Sequence, residues 1–507
     1  MLAGPELFVA AGAALLEGVL EGSAQTTLIF NKACMFFRQI YDEGLSQASY
    51  LIGCERTGEA LVVDPRRDVD AYITLASEHD MRVTAVAETH IHADYLSGGR
   101  ELAAATGATL HLSAYGADGE GYLAAQPGIR VQLLRDGDEI QVGDVRARAL
   151  HTPGHTPEHL SFAIYENLRA AAPMMLLSGD FLFVGDVGRP DLFEVALGKE
   201  GTAASSARTM FASIQSVLAR VPEYAAIWPA HGAGSACGKA LGAIPSTTLG
   251  YERRFSWWSE FIEKDDERGF AQALLEGQPD APTYFARMKH DNRGFTALLG
   301  SLPTTAPLDS KALRSALAAG AVIVDTRPRE EFCLQHVRGA LSLPDRPNLS
   351  SRAAWFLAPE TPIVLLARPE RVELLVRRLV RVGLDRIVGY VSDVATLGLP
   401  TESLAQMTAE QAQRRWSARD VTLLDVRQRS EFADAHIPNT TNLSAGRLAA
   451  SLASVPKDRP IVVFCAGGDR SVLAASALRA AGFADVTNMI GGFSEWRSRG
   501  LPAELAN

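Results

Sequence analysis

From residue 35 to about residue 250, short β-branched runs alternate with stretches whose apolar residues recur at helical spacing, the pattern of an α/β fold. Tyr50-Leu-Ile-Gly53 and Glu59-Ala-Leu-Val-Val-Asp64 read as paired strands, and 68–79 as a helix introduced by Pro65. A strand over 82–88, a helix over 99–106 and a strand over 108–112 follow. Residues 131–150 hold strands interrupted by the hairpin signals Asp136-Gly-Asp138 and Gly143-Asp144. Further strands end at Asp180 and at His231, with a helix over 205–220 between them. A charged helix is expected over 260–275, and Ser301-Leu-Pro-Thr-Thr-Ala-Pro307 reads as a linker.

Beyond the linker the pattern repeats itself. Val322-Ile-Val-Asp-Thr-Arg-Pro-Arg-Glu-Glu-Phe332 lines up with Thr422-Leu-Leu-Asp-Val-Arg-Gln-Arg-Ser-Glu-Phe432, one hundred residues on. Asp325, Arg327, Glu331, Phe332 and His336 recur as Asp425, Arg427, Glu431, Phe432 and His436. Each copy alternates short apolar strands with helices, which predicts two small parallel sheets.

The chain, 507 residues long, is too long for one core and is expected to divide. The expected parts are an extension over 1–34, a first domain over 35–250, a helical bridge and linker over 251–306, and the two repeats over 307–402 and 403–507. Apolar residues at 47% and charged residues at 21% are those of a globular protein, and a net charge of −10 argues against nucleic acid or an anionic membrane as partner. Five scattered cysteines with no CxxC pair exclude a disulfide framework and a zinc knuckle, and point to the reducing cytoplasm. In residues 1–34 no Lys or Arg precedes the apolar run, and Glu17 and Glu21 interrupt it, so neither a signal peptide nor a membrane span is expected. Folded structure is expected to begin near Met35, itself an alternative start.

Candidate chemistry gathers where the strands end. Glu88-Thr-His-Ile-His-Ala-Asp-Tyr95 crowds His90, His92 and Asp94 onto one strand-to-helix turn. His155 lies on a second turn behind Pro153 and Gly154, while Asp180 and His231 close two further strands. Each alone reads as a structural polar group; together, in this order, they read as a metal site. His79, His111, His151 and His159 are expected in structural roles, and Asp64 as a brace for the metal loops.

The series HxHxD, Gly154-His155, Gly179-Asp180 and Pro229-Ala-His-Gly232 resembles the metallo-β-lactamase superfamily over about residues 35–250. That resemblance implies an αββα sandwich with metals held by loops at one sheet edge. Thr89-His-Ile-His-Ala-Asp-Tyr-Leu-Ser-Gly98, Gly154-His-Thr-Pro157 and Gly188-Arg-Pro-Asp-Leu192 look like persulfide dioxygenases within it. This implies one Fe(2+) per chain, held by His90, His155 and Asp180, with His92, Asp94 and His231 as orienting neighbours or ligands of a second ion. The residues add a reason of their own. Dinuclear hydrolases of the superfamily carry His after the motif aspartate; here that residue is Tyr95, whose neutral phenol is a poor ligand. A second site would be left with Asp94, His231 and a shared Asp180. Two histidines and one carboxylate suit Fe(II) with open positions, whereas adding His92 would suit zinc.

The two repeats look like rhodanese domains. In the second, Ile461-Val-Val-Phe-Cys465 runs into Ala466-Gly467-Gly468-Asp469-Arg470-Ser471 and then a helix. Backbone N–H groups, a helix N-terminus and Arg470 would form an anion nest suited to a thiolate at Cys465. The rhodanese resemblance makes Cys465 the carrier of a sulfane sulfur, with Ala466 to Ser471 as its binding loop. In the first repeat Ala367 replaces the cysteine, and Arg368-Pro-Glu-Arg371 offers no glycine and one N–H fewer, so that copy is expected to be inactive.

The expected protein is thus a multidomain α/β enzyme: a metallo-β-lactamase sandwich followed by two small parallel-sheet domains. Its expected reaction oxidises a thiol persulfide, such as glutathione persulfide, with O2 to sulfite, coupled through Cys465 to making or using thiosulfate. Copies of the same chain are the expected protein partners. A zinc thioester hydrolase of the glyoxalase II type joined to a sulfurtransferase is the alternative, and a C-terminal sulfur-relay or docking module is a third reading.

Overall fold

The computed structural model describes residues 35–116, 121–123, 126–197 and 201–505. The expectation for the extension over 1–34 lies outside the described residues. The first domain holds two six-stranded sheets. One runs in the order Met35–Asp42, Gln47–Cys54, Glu59–Val63, Arg82–Ala87, Thr109–Ser113 and Val131–Leu134. The other runs in the order Thr247–Thr248, Ala226–Pro229, Met175–Gly179, Leu160–Glu166, Val145–His151 and Glu139–Val142.

Their inner faces share one apolar layer, with Ile52, Leu61 and Val63 against Ala147, Phe162, Ile164 and Leu177. The outer face of the first sheet is covered by Asp70–Glu78 and Gly99–Thr106, through Tyr72, Ala76 and Leu102. The outer face of the second is covered by Ala203–Arg220 and Glu267–Leu275, through Met210, Ile214, Phe270 and Leu274. This is the expected αββα sandwich. Leu160–Glu166 was not read as a strand because every residue in it is buried, which leaves no polar alternation to see. The single helix expected over 260–275 is two, Ser259–Glu263 and Glu267–Leu275. Asp265 turns left-handed with φ 53°, and the Asp266 carboxylate then caps the second helix at the Gly269 N–H, 2.8 Å away.

The C-terminal half carries two parallel sheets of matching topology. Leu341–Ser342, Val322–Asp325, Ile363–Leu366 and Ile387–Val391 form one; Ala405–Met407, Val486–Met489, Ile461–Phe464, Thr422–Asp425 and Thr441–Asn442 form the other. Val322 pairs with Ile363 as Thr422 pairs with Ile461. The side chains repeat as well. Arg327 grips Asp325 and Arg427 grips Asp425, each at 2.6 Å. His336 and His436 stack on Phe332 and Phe432 and donate to their carbonyls.

The first repeat packs directly behind the metal loop. Ala93, Tyr95 and Leu96 share a core with Leu375, Leu379 and Val382. The Leu96 N–H donates to the Arg381 carbonyl at 2.8 Å, and the Arg381 guanidinium meets Asp42 at 2.6 Å and Asp68 at 2.6 and 2.8 Å. Among the described residues no helix is long and apolar enough to cross a membrane.

Candidate metal centre and thiol loop

Four strand ends converge on one buried point. His90 follows Arg82–Ala87, His155 follows Val145–His151, Asp180 follows Met175–Gly179, and His231 follows Ala226–Pro229. An isolated antiparallel bridge between Gln47 and His231 joins the two sheets at this edge. His90 Nε2 lies 3.8 Å and His155 Nε2 3.6 Å from Asp180 Oδ2, and His231 Nε2 lies 3.5 Å from Asp180 Oδ1.

Hydrogen bonds fix the imidazole tautomers. The Thr89 hydroxyl donates to Asp64 Oδ2 at 2.8 Å, so it accepts from His90 Nδ1–H at 2.9 Å. His155 Nδ1–H donates to the Arg189 carbonyl at 2.9 Å, and His231 Nδ1–H to the Ser46 carbonyl at 3.0 Å. Each bond leaves Nε2 with its lone pair aimed at Asp180. Burial pushes His90 and His155 well below the usual imidazole range, which keeps those lone pairs free. Burial also raises the Asp180 carboxyl, to about 6.

Both Asp180 oxygens, both Asp94 oxygens and His231 Nε2 are buried without a hydrogen-bond partner. Orphaned acceptors of this kind are costly unless a cation faces them, so the donor set fits a metal. His90, His155 and Asp180 form one such group, and Asp94, His231 and Cys237 a second. The thiol of Cys237 did not figure in the sequence reasoning, which left the second group thin. Its only signal is position, six residues past His231 in a Gly- and Ala-rich loop.

His92 stands apart from the first group. Its Nε2–H meets Asp64 at 3.1 Å and lies 3.4 Å from Glu88, and its Nδ1 is buried without a partner. Burial alone lowers its pKa, but the two carboxylates outweigh burial and raise it well above the usual range. Tyr95 donates to the Asp64 carbonyl and accepts from Gln47, each at 3.2 Å, and burial keeps its phenol protonated. Asp64, at φ 52°, is the brace expected, since it also takes the Thr89 N–H at 2.7 Å.

His159 does more than fill space. It accepts the Asp180 N–H at 3.0 Å on Nε2 and donates to Thr152 from Nδ1 at 2.8 Å, and burial lowers its pKa to about 3. The Gly188-Arg189 motif backs the same residue: a Cβ on Gly188 would lie 1.8 Å from the Asp180 carbonyl oxygen. Arg189 is fully buried, bound to Asp191 and to the carbonyls of Ala236 and Pro279. From the bridge, Tyr284 donates to the Asp94 carbonyl at 2.9 Å, and Asn292 to those of His92 and Tyr95 at 2.8 and 2.7 Å. Sequence spacing carries no sign of such long-range clamps.

The thiol loop is built on the second repeat. Cys465 ends Ile461–Phe464 and is buried, and the Gly468 N–H donates to its sulfur at 3.1 Å. Gly468 has φ 113°, a conformation that requires glycine. Ser471 donates to Asn488 at 2.7 Å and lies 3.1 Å from the Gly468 carbonyl oxygen, in the first turn of the helix Asp469–Ala480. Of the expected binding loop, Ala466 to Ser471, the Gly468 N–H is the group that meets the sulfur. Arg470 reaches Glu431 through two bonds of 2.5 and 2.8 Å. Asp469 meets Arg329 and Arg346 of the first repeat.

Residues 42–231 match the family model described as metallo-beta-lactamase superfamily, and residues 408–499 that described as rhodanese-like domain. The crystal structure of a metallo-beta-lactamase from Staphylococcus aureus subsp. aureus COL is 40% identical with a TM-score of 0.64, covering 70% of this chain and 99% of that one. The chain belongs to the metallo-β-lactamase superfamily. Its C-terminal domain is rhodanese-like: a sulfurtransferase of Allochromatium vinosum is 34% identical over 104 residues, 20% of this chain and 91% of that protein. A hydroxyacylglutathione hydrolase of Polaromonas sp. is 29% identical over 268 residues, 48% of this chain and 92% of that protein. The metallo-β-lactamase domain is thus a metal-binding enzyme domain, joined here to one for sulfur chemistry.

Proposed function

We propose that the chain is a persulfide dioxygenase fused to a rhodanese. The observation that carries this reading is the Asp180 carboxylate, unpartnered and faced by the Nε2 atoms of His90 and His155. His90, His155 and Asp180 would hold one ferrous ion, which when bound supplies open positions and redox chemistry for O2 and a sulfur anion. The net reaction is RSSH + O2 + H2O → RSH + SO3(2−) + 2 H+. Thr89 and the Arg189 carbonyl orient the two imidazoles, His159 holds the Asp180 backbone, and the protonated Tyr95 stays out of the donor set. Cys465 would take sulfane sulfur by thiolate attack on a persulfide, releasing the carrier thiol. Residues 307–402 are read as a rhodanese-like repeat without activity, because Ala367 stands where Cys465 does. Free thiols at Cys237, Cys333 and Cys465 suit a reducing cytoplasm.

One observation favours a second reading. Asp180 Oδ1 faces His231, and Asp94 and Cys237 complete a second donor group beside it, as a dinuclear zinc thioester hydrolase would need. Metal analysis of protein purified without added metal separates the two. One iron per chain supports the dioxygenase, and two zinc ions support the hydrolase.

A further inference from the structure

One cavity is lined both by Asp94 of the metal loop and by Arg470 of the thiol loop. It measures about 350 Å³, and Leu45 and Gln428 also line it. The helix Leu349–Phe356 of the first repeat forms a wall, and Arg352 on that helix lines the space.

The charges in this wall are unequal. Asp280 lies 3.7 Å from Arg429 and 3.9 Å from Arg447. Arg470 is held by Glu431, and Asp469 by Arg329 and Arg346. Asp94 faces His231 at 3.5 Å. Arg352 has no side-chain hydrogen bond or ion pair among the described residues, yet it is partly buried and within electrostatic reach of Asp469, Arg470 and Cys465, and the Asp469 carboxylate is already held by Arg329 and Arg346. A partly desolvated guanidinium with no directly bonded carboxylate is costly, and a small dianion entering the cavity offsets that cost with charge-assisted, two-pronged bonds.

We propose that Arg352, lent by the repeat that has lost its cysteine, binds sulfite beside Arg470 and presents it to the persulfide of Cys465, in a chamber that also receives sulfite from the metal end. The second half of that statement rests on the dioxygenase reading; the first does not. The sulfite sulfur attacks the outer sulfur of Cys465-S-S(−), a new S–S bond forms, the old one breaks, and its electron pair stays on the Cys465 thiolate. The balance is RSS(−) + SO3(2−) → RS(−) + S2O3(2−), with no oxidant or proton required.

The test uses the full chain in two arms. Without O2, thiosulfate formation from glutathione persulfide and sulfite is followed against sulfite concentration. Arg352→Gln is expected to raise half-saturation about tenfold, the loss of one charge-assisted bond, and Arg352→Lys to recover part of it. An unchanged sulfite dependence in folded Arg352→Gln overturns the role of Arg352. With O2, the wild type oxidises glutathione persulfide in bulk 35S-sulfite. Thiosulfate whose sulfonate carries less than a tenth of the bulk specific activity supports a shared chamber, and full labelling overturns it. Absence of O2 uptake by the wild type overturns the dioxygenase reading and the chamber with it, and the anaerobic arm still decides Arg352.

Discussion

Two loops in the C-terminal half start from the same place and end differently. Leu366 and Phe464 close equivalent strands, paired in the same register to neighbours that carry the same Asp–Arg clasp. After Phe464 the chain enters Cys465, turns through Gly468 at φ 113° and points an N–H at the sulfur. After Leu366 it enters Ala367, and a 3-10 turn over Pro369–Arg371 follows, whose proline has no N–H to give. The fold tolerates both because the strand and helix on either side are held by apolar packing, not by the loop. The first repeat contributes surface to both sites: its helix Val372–Val380 leads into Arg381 at the metal loop, while Arg329 and Arg346 brace the other copy's loop.

The sharpest way to break this comparison is to exchange the two residues that define it. Cys465→Ser should cut thiosulfate:cyanide sulfur transfer by about a thousandfold or more, and adding Ala367→Cys should restore none of it. A rescued double variant would show that the first loop is competent after all. Next in size is Arg381→Ala, which takes the nearest cation from Asp42 and Asp68 in a buried interface and leaves them Arg66 and Arg377 at 3.7 to 3.9 Å. It should destabilise the chain by about 3–5 kcal/mol and lower metal retention, read by denaturant unfolding and metal content. A variant as stable as wild type would deny the first repeat its scaffolding part. Gly468→Ala forces a side chain into a glycine-only conformation, with its Cβ 2.7 Å from Arg329. A cost of about 1–3 kcal/mol, seen as at least roughly tenfold slower sulfur transfer, is expected. The smallest effect belongs to Arg329→Ala, which removes a 2.9 Å bond to the Gly467 carbonyl and should slow transfer only a few-fold, for about 1 kcal/mol.

Much of this was legible in the residues because the chemistry sits at strand ends, where Pro, Gly and His punctuate apolar runs. His90, His155 and Asp180 meet as the motif order implied, and the repeat was visible in the match of 322–332 to 422–432. Direction was harder. No spacing says that His92 turns to Asp64 while His90 turns to Asp180, because that choice is made by Thr89 and Asp64 in three dimensions. Cys237 was hidden in a loop without periodicity, and Arg470 looked like free charge until Glu431 was seen to hold it. Nor could the pattern show Tyr284, Asn292 and Arg381 reaching back across 190 or more residues, since such contacts exist only once the domains are packed.

The account stands most directly on O2 consumption with glutathione persulfide as substrate, compared among wild type, Asp180→Ala and Cys465→Ser. Wild type should consume O2, Asp180→Ala should not, and Cys465→Ser should continue while sulfite accumulates in place of thiosulfate. Uptake by Asp180→Ala at the wild-type rate, or a wild type that takes up no O2 and hydrolyses a glutathione thioester instead, would contradict it.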